Sequence, residues 1–211
     1  MTAGIDEMEV AGVVVDDKAA RRAPWMTFLQ QWSKNPLMMS SVAPSGRQLA
    51  SMMIKAIPVD ARCVVELGAG TGAITRMLIG HVASSTRLLI VEMNPVLHGV
   101  LRHRFPGVQI ACGDARDLDQ LLAQNGAFER GQADAVISSL GLLAMPKSVQ
   151  HAILAAAFAA LRPGGVFVQY TYGLRAPVAV EVCEQLNLRC ERLGRAWLNL
   201  PPARVFVYRR R

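Results

Sequence analysis

VVELGAGTGAITRML, residues 64–78, places three glycines at alternate positions between an apolar run and a segment with helical spacing. A short apolar run bounded by glycines predicts a buried strand, and the residues from Ala73 onward predict a helix, so the glycines form a strand-to-helix turn. In an open parallel sheet, ligands bind beyond the carboxyl ends of the strands at the topological switch point, and the first such turn lies there. Gly68, Gly70 and Gly72 carry no side chain to hold a ligand away from the backbone. Their spacing is G-x-G-x-G. A dinucleotide fingerprint reads G-x-G-x-x-G, and a phosphate loop needs G-x-x-x-x-G-K followed by Ser or Thr; this turn has neither.

Around this turn the chain alternates between strand and helix. RCVVEL, RLLIVEM, VQIACGD, ADAVISSL and GGVFVQYTY read as strands, with GAITRMLIGHV, NPVLHGVLRHRF, ARDLDQLLAQN and SVQHAILAAAFAAL as the helices between them. This order predicts an α/β fold with a mostly parallel sheet covered on both faces. LRCERLGRAWLNL and ARVFVYRR, joined through Pro201 and Pro202, predict a closing hairpin. Upstream, residues 1–20 lack periodicity and read as a flexible acidic tail. Pro24 then opens a helix whose Trp25, Phe28, Leu29 and Trp32 share one face; NPLMMSSVAPSG breaks it, and a second helix over GRQLASMMIKAI stops at Pro58. The expected division is a tail over 1–20, an N-terminal helical lid or membrane-docking segment over 21–58, and a ligand-binding domain over 59–211.

The chain has 211 residues, enough for one domain with a sizeable core, and carries a net charge of +7. Its first 20 residues hold five acids and one base, which leaves 22 basic and 11 acidic residues beyond them, an excess of +11. That excess favours a polyanionic partner, either nucleic acid or an anionic membrane surface. No apolar run reaches the roughly 20 residues that span a bilayer, and acids stand where a signal peptide would be basic. Cys63, Cys112, Cys183 and Cys190 show no CxxC pairing and read as structural thiols of a reducing cytoplasm. The four histidines have no metal-ligand spacing, so no metal is expected.

Three acids give the glycine turn its chemistry. Glu66 precedes the first glycine at the strand end, where it would repel a pyrophosphate but accepts hydrogen bonds from an ammonium group. Glu92 closes the second strand, 20 residues past Gly72, at the position from which an acid grips a ribose diol. Asp114, in GDA after the third strand, is placed to accept from the exocyclic amine of a purine. The combination points to a cationic amino-acid nucleoside rather than a phosphate.

VVELGAGTG, IVEMNP and GDA resemble the first three cofactor motifs of the class I S-adenosylmethionine-dependent methyltransferases, over roughly residues 60–211. The resemblance implies a Rossmann-like, seven-stranded, mostly parallel sheet with a reversed last strand, helices on both faces and additional N-terminal helices. It implies S-adenosylmethionine as cofactor and S-adenosylhomocysteine as product, held by Glu66, Gly68, Ala69, Gly70, Gly72, Glu92, Met93, Asp114, Ala115 and Ser138. FLQQWSKNP, APSGRQLA, RFPGVQIACGDARDL, VISSLGLLAMP, LRPGGVFVQYTYG and NLPPARVFVYRR further resemble, in order and spacing, the bacterial phospholipid N-methyltransferases that convert phosphatidylethanolamine toward phosphatidylcholine. That similarity implies a phospholipid substrate, an anionic membrane surface as partner, and a cytoplasmic protein associated peripherally with the inner face of the cytoplasmic membrane.

The fourth strand bears on the acceptor. Enzymes of this class that methylate an adenine amine carry Asn or Asp, then Pro-Pro or Leu-Pro, then an aromatic after that strand, whereas this chain reads VISSLGLLAMP. Nucleic acid is therefore the less favoured partner; an RNA methyltransferase of the ribosomal adenine dimethylase type, or one acting on a small soluble amine, stays as the alternative. Trp25, Phe28, Leu29 and Trp32 beside Arg21 and Arg22 have the composition of an interfacial helix, and Arg204 is a candidate for a lipid phosphate. Tyr170 and Tyr172 share a strand face and are the candidate catalytic residues, by hydroxyl contact or cation–π contact with the amine; Ser138 is a third, with strand-end capping as its other reading.

Overall fold

The computed structural model describes residues 44–126, 129–199 and 201–211. The expected acidic tail and the helix of Trp25, Phe28, Leu29 and Trp32 lie outside the described residues. The chain begins with α1 (Pro44–Ile54) and continues β1 (Cys63–Leu67), α2 (Ala73–His81), β2 (Arg87–Glu92), α3 (Pro95–Arg104), β3 (Gln109–Cys112), α4 (Leu118–Asn125), β4 (Ala133–Ser138), α5 (Lys147–Ala160), β5 (Leu161–Thr171), α6 (Val180–Gln185), β6 (Leu188–Ala196) and β7 (Ala203–Arg210). Seven strands form one sheet in the order β3-β2-β1-β4-β5-β7-β6. β7 runs antiparallel to both β5 and β6, while the pairs from β3 across to β5 are parallel. The expected Rossmann-like sheet with a reversed last strand is the observed one.

All five residues of β1 and all six of β4 are buried, because strands central to a two-sided sheet have no solvent face and so show no alternation. Helices α1, α2 and α3 cover one face over Met53, Ile54, Leu78, Ile90, Leu101, Ile137 and Val168. Helices α4, α5 and α6 cover the other over Leu118, Leu122, Leu154, Phe158, Phe167 and Tyr208. The amino ends of the central strands are pinned by Asp134, whose Oδ2 accepts from the Arg62 and Cys63 amides at 2.7 and 2.9 Å and whose Oδ1 pairs with Arg162. Burial alone would raise this carboxyl, but Arg162 and the two amides bring it below the ordinary carboxylate value. With the starts tied, the opposite ends stand level, Leu67 beside Ser138 and Ser138 beside Gln169. Between β1 and β4 the connections part to opposite sides, which makes the switch point a cleft above those ends.

Several details differ from the sequence reading. α1 buries Leu49, Ala50, Met53 and Ile54 against the domain, so the last part of segment 21–58 belongs to the core. The helix read over ARDLDQLLAQN splits into a 3-10 turn (Ala115–Asp117) and α4. α6 has only six residues, too few for a periodic pattern. β6 stops at Ala196, so Trp197, Leu198 and Asn199 leave the strand for the connection to β7. Of the cysteines only Cys63 is buried; Cys183 is half-buried, and Cys112 and Cys190 lie on exposed strand positions.

Candidate active site

The glycine turn adopts left-handed backbone at all three glycines, with φ of 73°, 57° and 81° at Gly68, Gly70 and Gly72. Packing separates their roles. A Cβ on Gly72 would sit 2.5 Å from the Phe105 ring, and one on Gly68 would sit 2.7 Å from Leu140, whereas one on Gly70 would meet nothing within 4 Å. Gly68 and Gly72 are therefore required by the protein's own side chains, and Gly70 alone faces open space. Its amide donates to Glu92 Oε2 at 2.8 Å, and Glu92 Oε1 accepts from the Asn94 amide at 2.9 Å, so this carboxylate ties the turn after β1 to the turn after β2. Asn94 in turn caps α3, accepting from the Val96 and Leu97 amides ahead of Pro95 in the first turn.

Glu66 is fully buried. Its Oε2 accepts from the Thr75 hydroxyl at 2.7 Å, and its Oε1 has no partner. Burial pushes this carboxyl up to about 7 against the lowering effect of Thr75. A buried carboxylate with one oxygen unmatched fits a cationic donor, which would both satisfy the oxygen and favour the charged form. Asp114 lies just past β3 and is turned toward Arg116, with Oδ2 accepting from Nε and Nη2 at 3.0 and 2.7 Å and Oδ1 from the Arg116 amide at 2.9 Å. Burial works to raise this carboxyl, but the guanidinium prevails and takes it below its ordinary value. Ala69 and Ala115 are buried beside these acids, and Met93 is 48% exposed at the rim.

The candidate acceptor residues divide between the two faces of the sheet. Glu66, Ile137 and Val168 form one row, and Tyr170 follows two residues on along β5, facing α1 and α2. Tyr170 and Tyr172 meet edge to face at 5.6 Å and 80°. The Tyr170 hydroxyl is buried without a partner, and burial raises both phenols, in Tyr172 against the effect of its Asn199 hydrogen bond. Both phenols are thereby kept in their neutral form. Ser138 stands beside Gln169 on the opposite face, and its Oγ accepts from the Leu140 amide at 3.3 Å, the capping arrangement. The structure does not bring Ser138 together with the tyrosines. Arg204 is buried on β7, with Nη1 donating to the Gly173 carbonyl at 2.9 Å and so fixing the end of β5.

Asn199 was not among the residues read from sequence. It is buried in the β6–β7 connection, its Nδ2 reaches the Tyr172 hydroxyl at 3.4 Å, and its Oδ1 has no partner. The sequence signal was the proline pair Pro201–Pro202 after it, which marks this stretch as a connection between strands. Thr75 was also missed, although its place one turn into the helix after a G-x-G-x-G turn sets it under Glu66.

A family model described as a methyltransferase domain matches residues 64–165. An ornithine lipid N-methyltransferase of Singulisphaera acidiphila is 37% identical over 148 residues, which span 68% of this chain and 76% of that protein. The chain belongs to the class I S-adenosylmethionine-dependent methyltransferases. Its fold is shared with the 1,6-didemethyltoxoflavin-N1-methyltransferase of Burkholderia thailandensis, solved with S-adenosylhomocysteine, at a TM-score of 0.62 and 14% identity over 95% of this chain and 93% of that one. Haemonchus contortus phosphoethanolamine N-methyltransferase 1 gives a TM-score of 0.62 at 13% identity, over 89% of this chain and 48% of that one. This methyltransferase uses S-adenosylmethionine, and the open space at Gly70 with the unmatched Glu66 oxygen suits that cation. Among the described residues no three His, Cys, Asp or Glu side chains gather as metal ligands.

Proposed function

We propose that this methyltransferase transfers methyl groups to the amine of a phospholipid headgroup, converting phosphatidylethanolamine toward phosphatidylcholine at a membrane surface. The observation that carries this reading is the trio of Tyr170, Tyr172 and Asn199, a wall of two buried side chains and one half-buried side chain with two unpartnered polar oxygens. Such a wall accepts an amine N–H at Asn199 Oδ1, while the apolar surroundings disfavour the protonated amine and leave its lone pair free. The proton lost before each transfer passes to solvent. The neutral phenols also offer ring faces to methylated ammonium states.

When bound, S-adenosylmethionine supplies a methyl group on a sulfonium, which an amine lone pair displaces in line to leave S-adenosylhomocysteine. On this reading Glu66 Oε1 accepts from the methionine ammonium, and the Gly68–Gly72 turn with Ala69 lies along the methionine portion. Glu92 retains lone pairs for the ribose hydroxyls beyond its two amide bonds, and Asp114 Oδ1 retains one for the adenine amine; Met93 and Ala115 flank the base. Ser138 shapes the turn after β4 rather than touching the amine. Arg204 holds the β5 end beside the acceptor and keeps further donors for a headgroup phosphate.

The relative from Singulisphaera acidiphila supports a lipid and an amine, and it makes an ornithine lipid the second candidate headgroup. Among the described residues no helix is long and apolar enough to cross a membrane; Trp25, Phe28, Leu29 and Trp32 are the proposed docking residues. The test is incubation with methyl-labelled S-adenosylmethionine, both lipids and cellular RNA, followed by separation of mono-, di- and trimethylated headgroups. We expect label in methylated phosphatidylethanolamine; label in RNA with none in lipid would refute the reading.

A further inference from the structure

The three loops that frame the acceptor wall carry an unusual surface. Leu143 after β4, Leu174 after β5, and Trp197 and Leu198 between β6 and β7 are 54%, 81%, 66% and 65% exposed. The loops are fastened to one another. Leu143 lies so close over Gly173 that a Cβ there would stand 2.7 Å from its Cδ2, the Gly173 carbonyl accepts from Arg204, and the Leu198 amide donates to Gln48 of α1 at 2.9 Å. The Arg195 guanidinium stacks 3.8 Å over the Trp197 ring. Residues 139–148, 171–180 and 193–204 contain Lys147, Arg175, Arg195 and Arg204 and no acid. Among the described residues, of these cations only Lys147 has an acidic partner, Glu181 at 2.6 Å, contributed from α6.

We propose that these loop tips are a docking rim that seats the acceptor opening on an anionic bilayer. The proposal rests on the lipid reading for its choice of partner. Charge complementarity selects the surface: Arg175 and Arg195, with no acidic partner among the described residues, favour anionic headgroups, and leucines with a cation-stacked tryptophan at loop tips gain by entering the boundary between headgroups and acyl chains. A nucleic acid would reward the cations but not the exposed aliphatic tips. Seated this way, the rim brings lipid headgroups to Tyr172 and Asn199 without a membrane span.

The test compares the full chain with the double variant Leu174→Glu/Trp197→Glu, both at exposed positions, after matching their melting temperatures. Sedimentation is run with phosphatidylcholine vesicles containing or lacking phosphatidylglycerol, and methylation is measured on phosphatidylethanolamine dispersed in detergent, where docking is not required. We expect the wild type to sediment with the anionic vesicles only, the variant to bind about tenfold more weakly or less, and both to methylate the dispersed lipid equally. Undiminished vesicle binding by the variant overturns the rim, as does loss of binding only in Trp25→Ala/Trp32→Ala. A variant that instead dissociates a dimer overturns it in favour of a second copy. Loss of binding in the variant, with no methylation of dispersed lipid by either protein, supports the rim and refutes the lipid reaction.

Discussion

Across the carboxyl edge of one sheet, β1, β2 and β3 end at or beside Glu66, Glu92 and Asp114, whereas residues 139–148, 171–180 and 193–204, in and flanking the connections after β4, β5 and β6, hold Lys147, Arg175, Arg195 and Arg204 with no acid among them. The acid half is bonded to its own turns, Glu66 through the Thr75 hydroxyl and the other two acids through the Gly70, Asn94 and Arg116 amides. The cationic half exposes leucine and tryptophan around the buried Tyr170 and the half-buried Tyr172. On the reading proposed above, one edge offers a seat for a cation beside a landing place for an anionic surface. Such a separation of signs would let a positively charged methyl donor and a negatively charged lipid surface approach the same cleft without competing for the same groups.

The largest effect should come from Gly70→Val. A β-branched residue at a φ of 57° is strained, and its side chain fills the open space, so calorimetry should show cofactor binding lost; unchanged affinity would remove the acid half from the account. In the other half, Asn199→Ala and Tyr170→Phe should each lower kcat roughly 10- to 100-fold, the cost of an unmade buried hydrogen bond, with cofactor affinity unchanged. An equal fall in cofactor affinity would mean that the halves are not separate.

Glu66 gives the comparison a pH signature. Its folded carboxyl, at about 7, lies above the ordinary value of 4.5, so the empty protein gains stability from it below that ordinary value and loses this as pH rises through about 7. A cationic ligand reverses the preference by requiring the carboxylate. Cofactor affinity should therefore climb with pH below 7, by up to about tenfold per unit, and level off above it, with proton release seen by calorimetry in buffers of different ionisation enthalpy. Glu66→Gln should flatten the profile, and a slope retained in that variant would assign the proton elsewhere. The smallest effect is expected for Arg175→Ser, about fivefold weaker binding to anionic vesicles, from about 1 kcal/mol per basic residue, with the difference vanishing at high salt.

Sequence reasoning reached the sheet because its signals are local: VVEL and AVIS are apolar runs, and Gly68–Gly72 punctuate one turn. Glu66, Glu92 and Asp114 were legible for the same reason, each standing at the end of a strand. What lay beyond reach depends on contacts between distant segments. Asn199 meets Tyr172 across 27 residues, and Leu198 meets Gln48 across 150. Neither the bond from Gly70 to Glu92 nor the turning of Asp114 onto Arg116 leaves a periodic trace. For Ser138 the sequence left two readings, a third site residue or a strand-end cap, and one step of alternation puts it on the face away from the tyrosines, where it accepts from the Leu140 amide.

The most direct test of the central claim is a competition between a membrane lipid and its headgroup alone. The rate of methyl transfer to phosphatidylethanolamine in anionic vesicles should be compared with the rates to free phosphoethanolamine and ethanolamine at equal amine concentration. A cleft ringed by cations and exposed apolar tips predicts methylation of the vesicle lipid and little of either soluble amine. Equal or faster methylation of a soluble amine would contradict it.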